Sequence, residues 1–185
     1  PNLPKVSDYF TQEHRDYLVM DFVPGKDLKE LMDEARSENR ILSERQVLGW
    51  AKQILDALEY LHEQDSPVLH RDIKPANIMI TSSNEVRVTD FGIAKTETSS
   101  DLTLAGTLVG TPDYMSPEQA KGDLVDQRTD IWSLGVVLYE MLTGQLPFKG
   151  DYEQAVVYSI INEEPLPVSV LNEDVSAELE QIVHK

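Results

Sequence analysis

Five residues with chemically versatile side chains lie close together in the stretch HRDIKPANIMI, residues 70–80. They are His70, Arg71, Asp72, Lys74 and Asn77. A packed core has no use for so many polar groups at once, because each buried polar group needs its own partner. A second short polar signal, Asp90-Phe91-Gly92, follows after a gap long enough for a hairpin. The stretch is therefore a candidate reaction site.

The spacing H-R-D-x-x-x-x-N followed by D-F-G suits the transfer of a phosphoryl group. That reaction needs a group to orient the attacking hydroxyl, a divalent cation on the phosphates and positive charge near the transferred group. Asp72 can accept the hydroxyl proton, Lys74 can neutralise the phosphate, and Asn77 and Asp90 can hold Mg²⁺ across the hairpin. Each motif alone also has a purely structural explanation: Asp-Phe-Gly as a turn signal and His-Arg-Asp as a surface salt-bridge cluster. Their joint order and spacing favour catalysis.

The strands and helices that must position these residues are predicted from the spacing of apolar residues and from turn and capping residues. Short β-rich runs predict strands at residues 5–10 and 17–22, a turn at Pro24-Gly25, and a hairpin of residues 77–80 and 85–89. Capping signals and apolar stripes predict helices over residues 27–36, 43–64, 129–143 and 151–162, and one beginning at residue 176. The pattern predicts an α+β fold that is mainly helical.

Composition narrows the classes of function. The chain has 185 residues, of which 41% are hydrophobic, so a buried core is feasible. Its formal charge is −17, which disfavours nucleic acid and anionic membranes as partners. It has no cysteine, which excludes disulfides and thiolate sites and fits a reducing cytosol. The apolar runs are too short to span a membrane, and the first residues do not resemble a signal peptide.

Two further stretches complete a family resemblance. GTPDYMSPE, residues 110–118, looks like the end of a kinase activation segment, and DIWSLG, residues 130–135, looks like the start of the central helix of the C-terminal lobe. Together with HRDIKPAN and DFG, they resemble the eukaryotic-type protein kinase family over essentially the whole chain, most like its bacterial members. The resemblance implies ATP and Mg²⁺ as cofactors. It also implies that Asp130 holds the backbone of the catalytic loop.

The resemblance also assigns substrate class and regulation. Lys74, two residues after Asp72, together with Thr111, resembles the serine/threonine branch, so the implied substrates are proteins bearing Ser or Thr. Arg71 resembles the arginine of kinases whose activation loop is ordered by phosphorylation, because guanidinium pairs well with phosphate. Thr103 and Thr107 are the candidate phosphate acceptors in that loop, although hydroxyl residues also simply keep a loop soluble.

The stretch YLVMDFV resembles the strand and hinge behind the adenine of ATP. By this resemblance Met20 is the gatekeeper, Asp21 and Val23 offer backbone hydrogen bonds to the base, and Met79 forms the floor beneath it. Periodicity alone makes Met20 and Met79 ordinary core residues.

The alignment implied by the resemblance places residues 1–23 in a remnant of the N-terminal lobe and residues 24–185 in a shortened C-terminal lobe. No G-x-G-x-x-G is present, and only Lys5 precedes the hinge. We therefore expect a fragment of a kinase that has little activity alone, self-associates through an exposed apolar surface, and is cytoplasmic or the cytoplasmic part of a membrane-anchored protein. A non-catalytic binding module or scaffold is the alternative. A small-molecule phosphotransferase is disfavoured by the GTPDYMSPE segment.

Overall fold

A computed structural model describes residues 2–13, 15–90 and 112–184 and has the predicted α+β architecture, mainly helical. The strands are β1 (Val6–Gln12), β2 (Arg15–Met20), β3 (Lys26–Asp27), β4 (Ile78–Ile80) and β5 (Val86–Val88). The helices are α1 (Leu28–Ser37), α2 (Glu44–His62), α3 (Pro117–Lys121), α4 (Arg128–Thr143), α5 (Glu153–Asn162), α6 (Val168–Leu171) and α7 (Ala177–Val183). Single 3₁₀ turns cover Pro75–Asn77 and Pro112–Tyr114.

A three-stranded antiparallel sheet in the order β3-β4-β5 carries the candidate site. Ile78 pairs with Val88 and Ile80 with Val86, which confirms the predicted hairpin. The chain enters β3 through Gly25, which has a φ of 142°. A Cβ at this position would lie 2.2 Å from the carbonyl oxygen of Ile80, so only glycine fits this close approach.

Two long helices form the centre of the helical core. The apolar stripe predicted for α2 is buried, at Val47, Trp50, Ala51, Ile54, Leu58 and Leu61. Helix α4 is buried around most of its circumference, as expected of a helix surrounded by other elements. It ends at Gly144, which has a φ of 70°. In the described part of the chain, no helix combines the length and apolar character needed to cross a membrane.

The helix starts are capped by side chains. Asp27 and Glu30 form a capping box at α1, and Ser43 with Gln46 forms the one predicted at α2. Helices α3 and α6 were not predicted. The start of α3 carries the same signal, because Ser116 and Gln119 form a capping box there, and Pro117 occupies the first helical position.

Strands β1 and β2 form a separate hairpin whose residues are mostly exposed. The N–H of Asp21 donates to the carbonyl of Lys5 at 2.9 Å and closes the base of this hairpin. The side chain of Asn2 donates to Gln53 and to the carbonyl of Val86, and its carbonyl accepts from the N–H of Val88. The division of the chain at residue 23 stays a prediction.

Candidate active site

One buried carboxylate holds the backbone of the loop that begins at His70. Asp130, in the first turn of α4, is fully buried. Its Oδ1 accepts from the N–H of Arg71 at 2.8 Å, and its Oδ2 accepts from the N–H of His70 at 2.9 Å. The Nε2 of His62, at the end of α2, lies 2.8 Å from the same Oδ2. A buried carboxylate needs such donors, so the loop and both helices are fixed together.

The ring of His70 connects this loop to the strand hairpin. The Nδ1 of His70 accepts from the N–H of Asp72 at 3.3 Å, so the proton of the neutral ring is on Nε2. That Nε2–H donates to the carbonyl of Thr89 at 3.0 Å. Burial lowers the pKa of His70, against the opposing effect of the Asp130 carboxylate. His70 is therefore a neutral bridge between the loop and the end of β5.

Backbone strain is present at both ends of the candidate site. Arg71 has a φ of 61° and Asp90 a φ of 55°, which is the left-handed region that non-glycine residues rarely adopt. Each such residue costs about 1–2 kcal/mol, so its surroundings must impose the conformation. At Arg71, the hydrogen bond to Asp130 is part of that constraint.

Asp72, Lys74 and Asn77 come together as the sequence predicts. The Nζ of Lys74 lies 2.8 Å from Oδ2 of Asp72. The amide nitrogen of Asn77 donates to the same Oδ2 at 2.9 Å and to the carbonyl of Asp72 at 2.8 Å. The carboxylate of Asp72 is about one-third exposed, at 29%, so a substrate hydroxyl can reach it. A partly exposed carboxylate beside a cation suits the acceptance of a proton next to a phosphate.

The residues predicted to hold Mg²⁺ have suitable oxygen atoms. The amide nitrogen of Asn77 is engaged with Asp72, while its Oδ1 accepts no hydrogen bond from the described residues. The N–H of Thr89 donates to the carbonyl of Asn77 at 2.9 Å and extends the hairpin ladder by one pair. Asp90 is therefore the next residue beyond the partner of Asn77, and its side chain is exposed.

Carboxylate and amide oxygens are the ligands that Mg²⁺ accepts. No group of three or more His, Cys, Asp or Glu side chains able to hold a metal occurs among the described residues. A cation at Asn77 and Asp90 would thus complete its shell with phosphate and water oxygens, as Mg²⁺ commonly does. The residues present fit the ion.

The hinge residues have the backbone groups that the adenine role requires. The N–H of Asp21 is used by Lys5, but in the described part of the chain its carbonyl and the N–H of Val23 make no hydrogen bond. Met20 and Met79 are half-buried and outside the hydrophobic core, so the core role that periodicity gave them is wrong. Their adenine role stays a prediction.

Three predicted site residues, Thr103, Thr107 and Thr111, lie outside the described residues. The role of Thr111 and the phosphorylation of Thr103 and Thr107 stay predictions. The phosphate-binding role of Arg71 stays a prediction as well.

The structure adds three contacts that the sequence did not predict. The hydroxyl of Tyr114 donates to Glu140 at 2.6 Å, and Glu140 lies 3.5 Å from a guanidinium nitrogen of Arg36. Burial, followed by the Glu140 carboxylate, raises the pKa of Tyr114, so its hydroxyl keeps the donated proton. The amide of Gln119 donates to the carbonyl of Arg71 at 3.2 Å. The S-x-x-Q capping signal marks Gln119 in the sequence, although it does not reveal this second partner.

The chain matches the family model described as "Protein kinase domain" over residues 1–185. A loop held by a buried Asp130, a carboxylate–lysine–asparagine cluster and a following Asp90 are the parts expected of that class. The chain belongs to the protein kinase family, and the resemblance seen in its sequence is confirmed. Members of this family generally use ATP and Mg²⁺.

Curated relatives narrow the branch. The chain is 44% identical over 180 residues to a protein of Streptomyces coelicolor named "Probable serine/threonine-protein kinase", with 96% of the chain covered. It is 40% identical, with 100% covered, to a protein of the same description from Clostridium perfringens. It is 41% identical, with 91% covered, to the serine/threonine-protein kinase PknB of Mycobacterium tuberculosis. In each case the aligned part is 26% of the relative, so the chain spans about a quarter of their length.

Proposed function

We propose that this chain is part of a serine/threonine protein kinase, which transfers the γ-phosphate of ATP to Ser or Thr residues of proteins. The observation that carries the proposal is the cluster in which Lys74 and Asn77 both contact the Asp72 carboxylate. The names of the relatives support the branch and the substrate class.

The residues divide the work of the reaction. Asp72 accepts the proton of the substrate hydroxyl. The hydroxyl oxygen of the substrate bonds to the γ-phosphorus, and the bond from that phosphorus to the ADP oxygen breaks, so that ADP leaves. Lys74 places positive charge beside the transferred phosphoryl group, where negative charge develops. Asn77 and Asp90 would hold Mg²⁺, which when bound neutralises the phosphate oxygens. The Asp21 carbonyl and the Val23 N–H would bind the adenine, which fixes the nucleotide relative to Asp72.

The test uses the full-length protein that contains this chain, with Mg²⁺, labelled ATP and a generic protein substrate rich in Ser and Thr. Removing the proton acceptor by Asp72→Asn should lower kcat by a factor of about 10²–10⁴ while nucleotide binding is kept. Asp65→Asn is the matched control, because Asp65 is exposed and makes no side-chain hydrogen bond or ion pair in the described structure.

Two results would overturn the proposal. Phosphate transfer that is unchanged by Asp72→Asn would remove Asp72 from the mechanism. Binding of Mg²⁺ and ATP without transfer to any protein would favour the alternative, a non-catalytic binding module. Self-association, a cytoplasmic location and membrane anchoring of the whole protein remain predictions, which light scattering and cell fractionation would test.

A further inference from the structure

Gln119, in α3, connects two parts of the molecule through one side chain. Its Nε2 donates to the carbonyl of Arg71 at 3.2 Å, and its Oε1 accepts from the N–H of Ser116 at 3.1 Å. The first contact reaches the loop that carries Asp72, and the second closes the capping box of α3. The side chain is half-buried, so water competes with these bonds only in part.

The contact with Arg71 acts on a specific peptide group. The carbonyl of Arg71 and the N–H of Asp72 belong to the same planar unit, so fixing both atoms fixes the plane from which Asp72 projects. Gln119 holds the carbonyl, and Nδ1 of His70 holds the N–H at 3.3 Å. Asp130 holds the two preceding N–H groups, of His70 and Arg71. Asp130 thus holds the two peptide groups before this plane, while Gln119 holds the carbonyl of the plane itself.

The backbone of Gln119 is itself fixed by a series of hydrogen bonds through two hydroxyl groups. The N–H of Gln119 donates to Oγ of Ser116 at 3.2 Å, and that fully buried Oγ lies 2.5 Å from Oγ1 of Thr129. Thr129 donates its one proton to Glu118 at 3.0 Å, so the hydrogen between the two hydroxyls must come from Ser116. Thr129 directly precedes Asp130. The start of α4 thus holds the Asp72 loop directly through Asp130 and indirectly through Gln119.

We propose that Gln119 is a positioning residue for Asp72. Its amide sets the orientation of the Arg71–Asp72 peptide, and it makes residues 112–121 and the loop that carries Asp72 move as one unit. This inference rests on the proposed function, because the consequence is a change in the rate of phosphate transfer. Displacing a reacting group by about 1 Å can cost roughly 10²-fold in rate, so a modest rotation of this plane is sufficient.

The variant Gln119→Glu separates positioning from capping in the full-length protein. A glutamate at this capping-box position can still accept from the N–H of Ser116, and its charge suits the start of a helix. It cannot donate to the Arg71 carbonyl at neutral pH. We expect a melting temperature close to the original, because the gain at the helix start offsets the lost hydrogen bond, together with a fall in kcat of roughly tenfold and a KM for ATP within about twofold of the original value.

Gln46→Glu is the matched control, because Gln46 occupies the same capping-box position at α2 and contacts Ser43 rather than the loop. It should leave both melting temperature and kcat unchanged. A Gln119→Glu variant that folds and retains full kcat would overturn the proposal.

A second measurement does not depend on activity. Amide hydrogen exchange of residues 71–73 should be faster in Gln119→Glu than in the unchanged protein and in Gln46→Glu. If the unchanged protein transfers no phosphate, the proposed function fails, and the exchange rates still decide the role of Gln119. Identical exchange in all three proteins would show that Gln119 does not hold this peptide.

Discussion

Replacing Asp130 by asparagine should destabilise the protein strongly, although the two side chains have nearly the same shape. Three donors converge on the carboxylate: the N–H groups of His70 and Arg71, and Nε2 of His62. An asparagine has one acceptor oxygen and one NH₂ group. With its oxygen at the Oδ2 position, it keeps the contacts to His70 and His62, but its NH₂ group then faces the N–H of Arg71, donor against donor.

The magnitude follows from these contacts. A hydrogen bond to a charged group contributes about 1.5–3 kcal/mol, and a buried N–H left without a partner costs about 1–3 kcal/mol. These two figures overlap, because they describe the same lost contact at Arg71, and the bonds that remain are weakened by the loss of charge. We expect a loss of about 3 kcal/mol, against a total stability of about 5–15 kcal/mol for a typical domain.

Urea unfolding followed by circular dichroism measures this loss. With a slope of about 2 kcal/mol per molar urea, the midpoint should fall by about 1.5 M. Asp123→Asn is the control, because Asp123 is exposed and its side chain makes no hydrogen bond or ion pair in the described structure. Its effect should stay within about 0.5 kcal/mol. A midpoint for Asp130→Asn within about 0.3 M of the original would refute the reasoning, since it would mean that the three contacts contribute almost nothing.

Three further predictions concern stability. Burial lowers the pKa of His70 in the folded state, so the unfolded chain binds a proton first as the pH falls below about 6.5. The free energy of unfolding should then decrease by up to about 1.4 kcal/mol per pH unit. An imidazole NMR signal showing a charged His70 in the folded protein at pH 6 would contradict this. Ser116→Ala removes a helix cap and a link in the hydroxyl chain, and should cost about 1–2 kcal/mol in thermal unfolding; an unchanged melting temperature would count against it. Gly25→Ala should lower the free energy of unfolding by at least about 2 kcal/mol, because the new Cβ would lie 2.2 Å from the Ile80 carbonyl oxygen. Gly122→Ala, whose Cβ would have no neighbour within 4 Å, should lower it by about 1 kcal/mol. Equal losses would show that the close approach at Gly25 is relieved.

Features that depend on nearby residues were predictable from the sequence. The stripe of α2, the hairpin β4–β5, the helix cap at Asp27 and the capping box at Ser43 all rest on spacings of a few residues. The contact of Lys74 with Asp72 followed from their separation along the same loop. Short-range order of this kind is set by local geometry, which the sequence displays directly.

Contacts between distant segments were not predictable from pattern. Gln119 and Arg71, or Tyr114 and Glu140, lie far apart in the sequence, and nothing periodic connects them. The role of Asp130 came from the family resemblance, since by position alone an acid at a helix start is explained by the helix dipole. The positive φ of Arg71 is likewise imposed by tertiary contacts.

In the described part of the chain, two separate attachments connect the hairpin of β1 and β2 to the three-stranded sheet and α2. On one side, the main chain of Asn2 bonds to Val88 and its side chain to Val86 and Gln53. On the other, the chain passes through Gly25 into β3, which pairs with β4. A body attached at two points can rock about the line that joins them but cannot swivel freely, as it could on a single tether. We therefore expect Met20 and Asp21 to move relative to Asp72 mainly by rotation about this line.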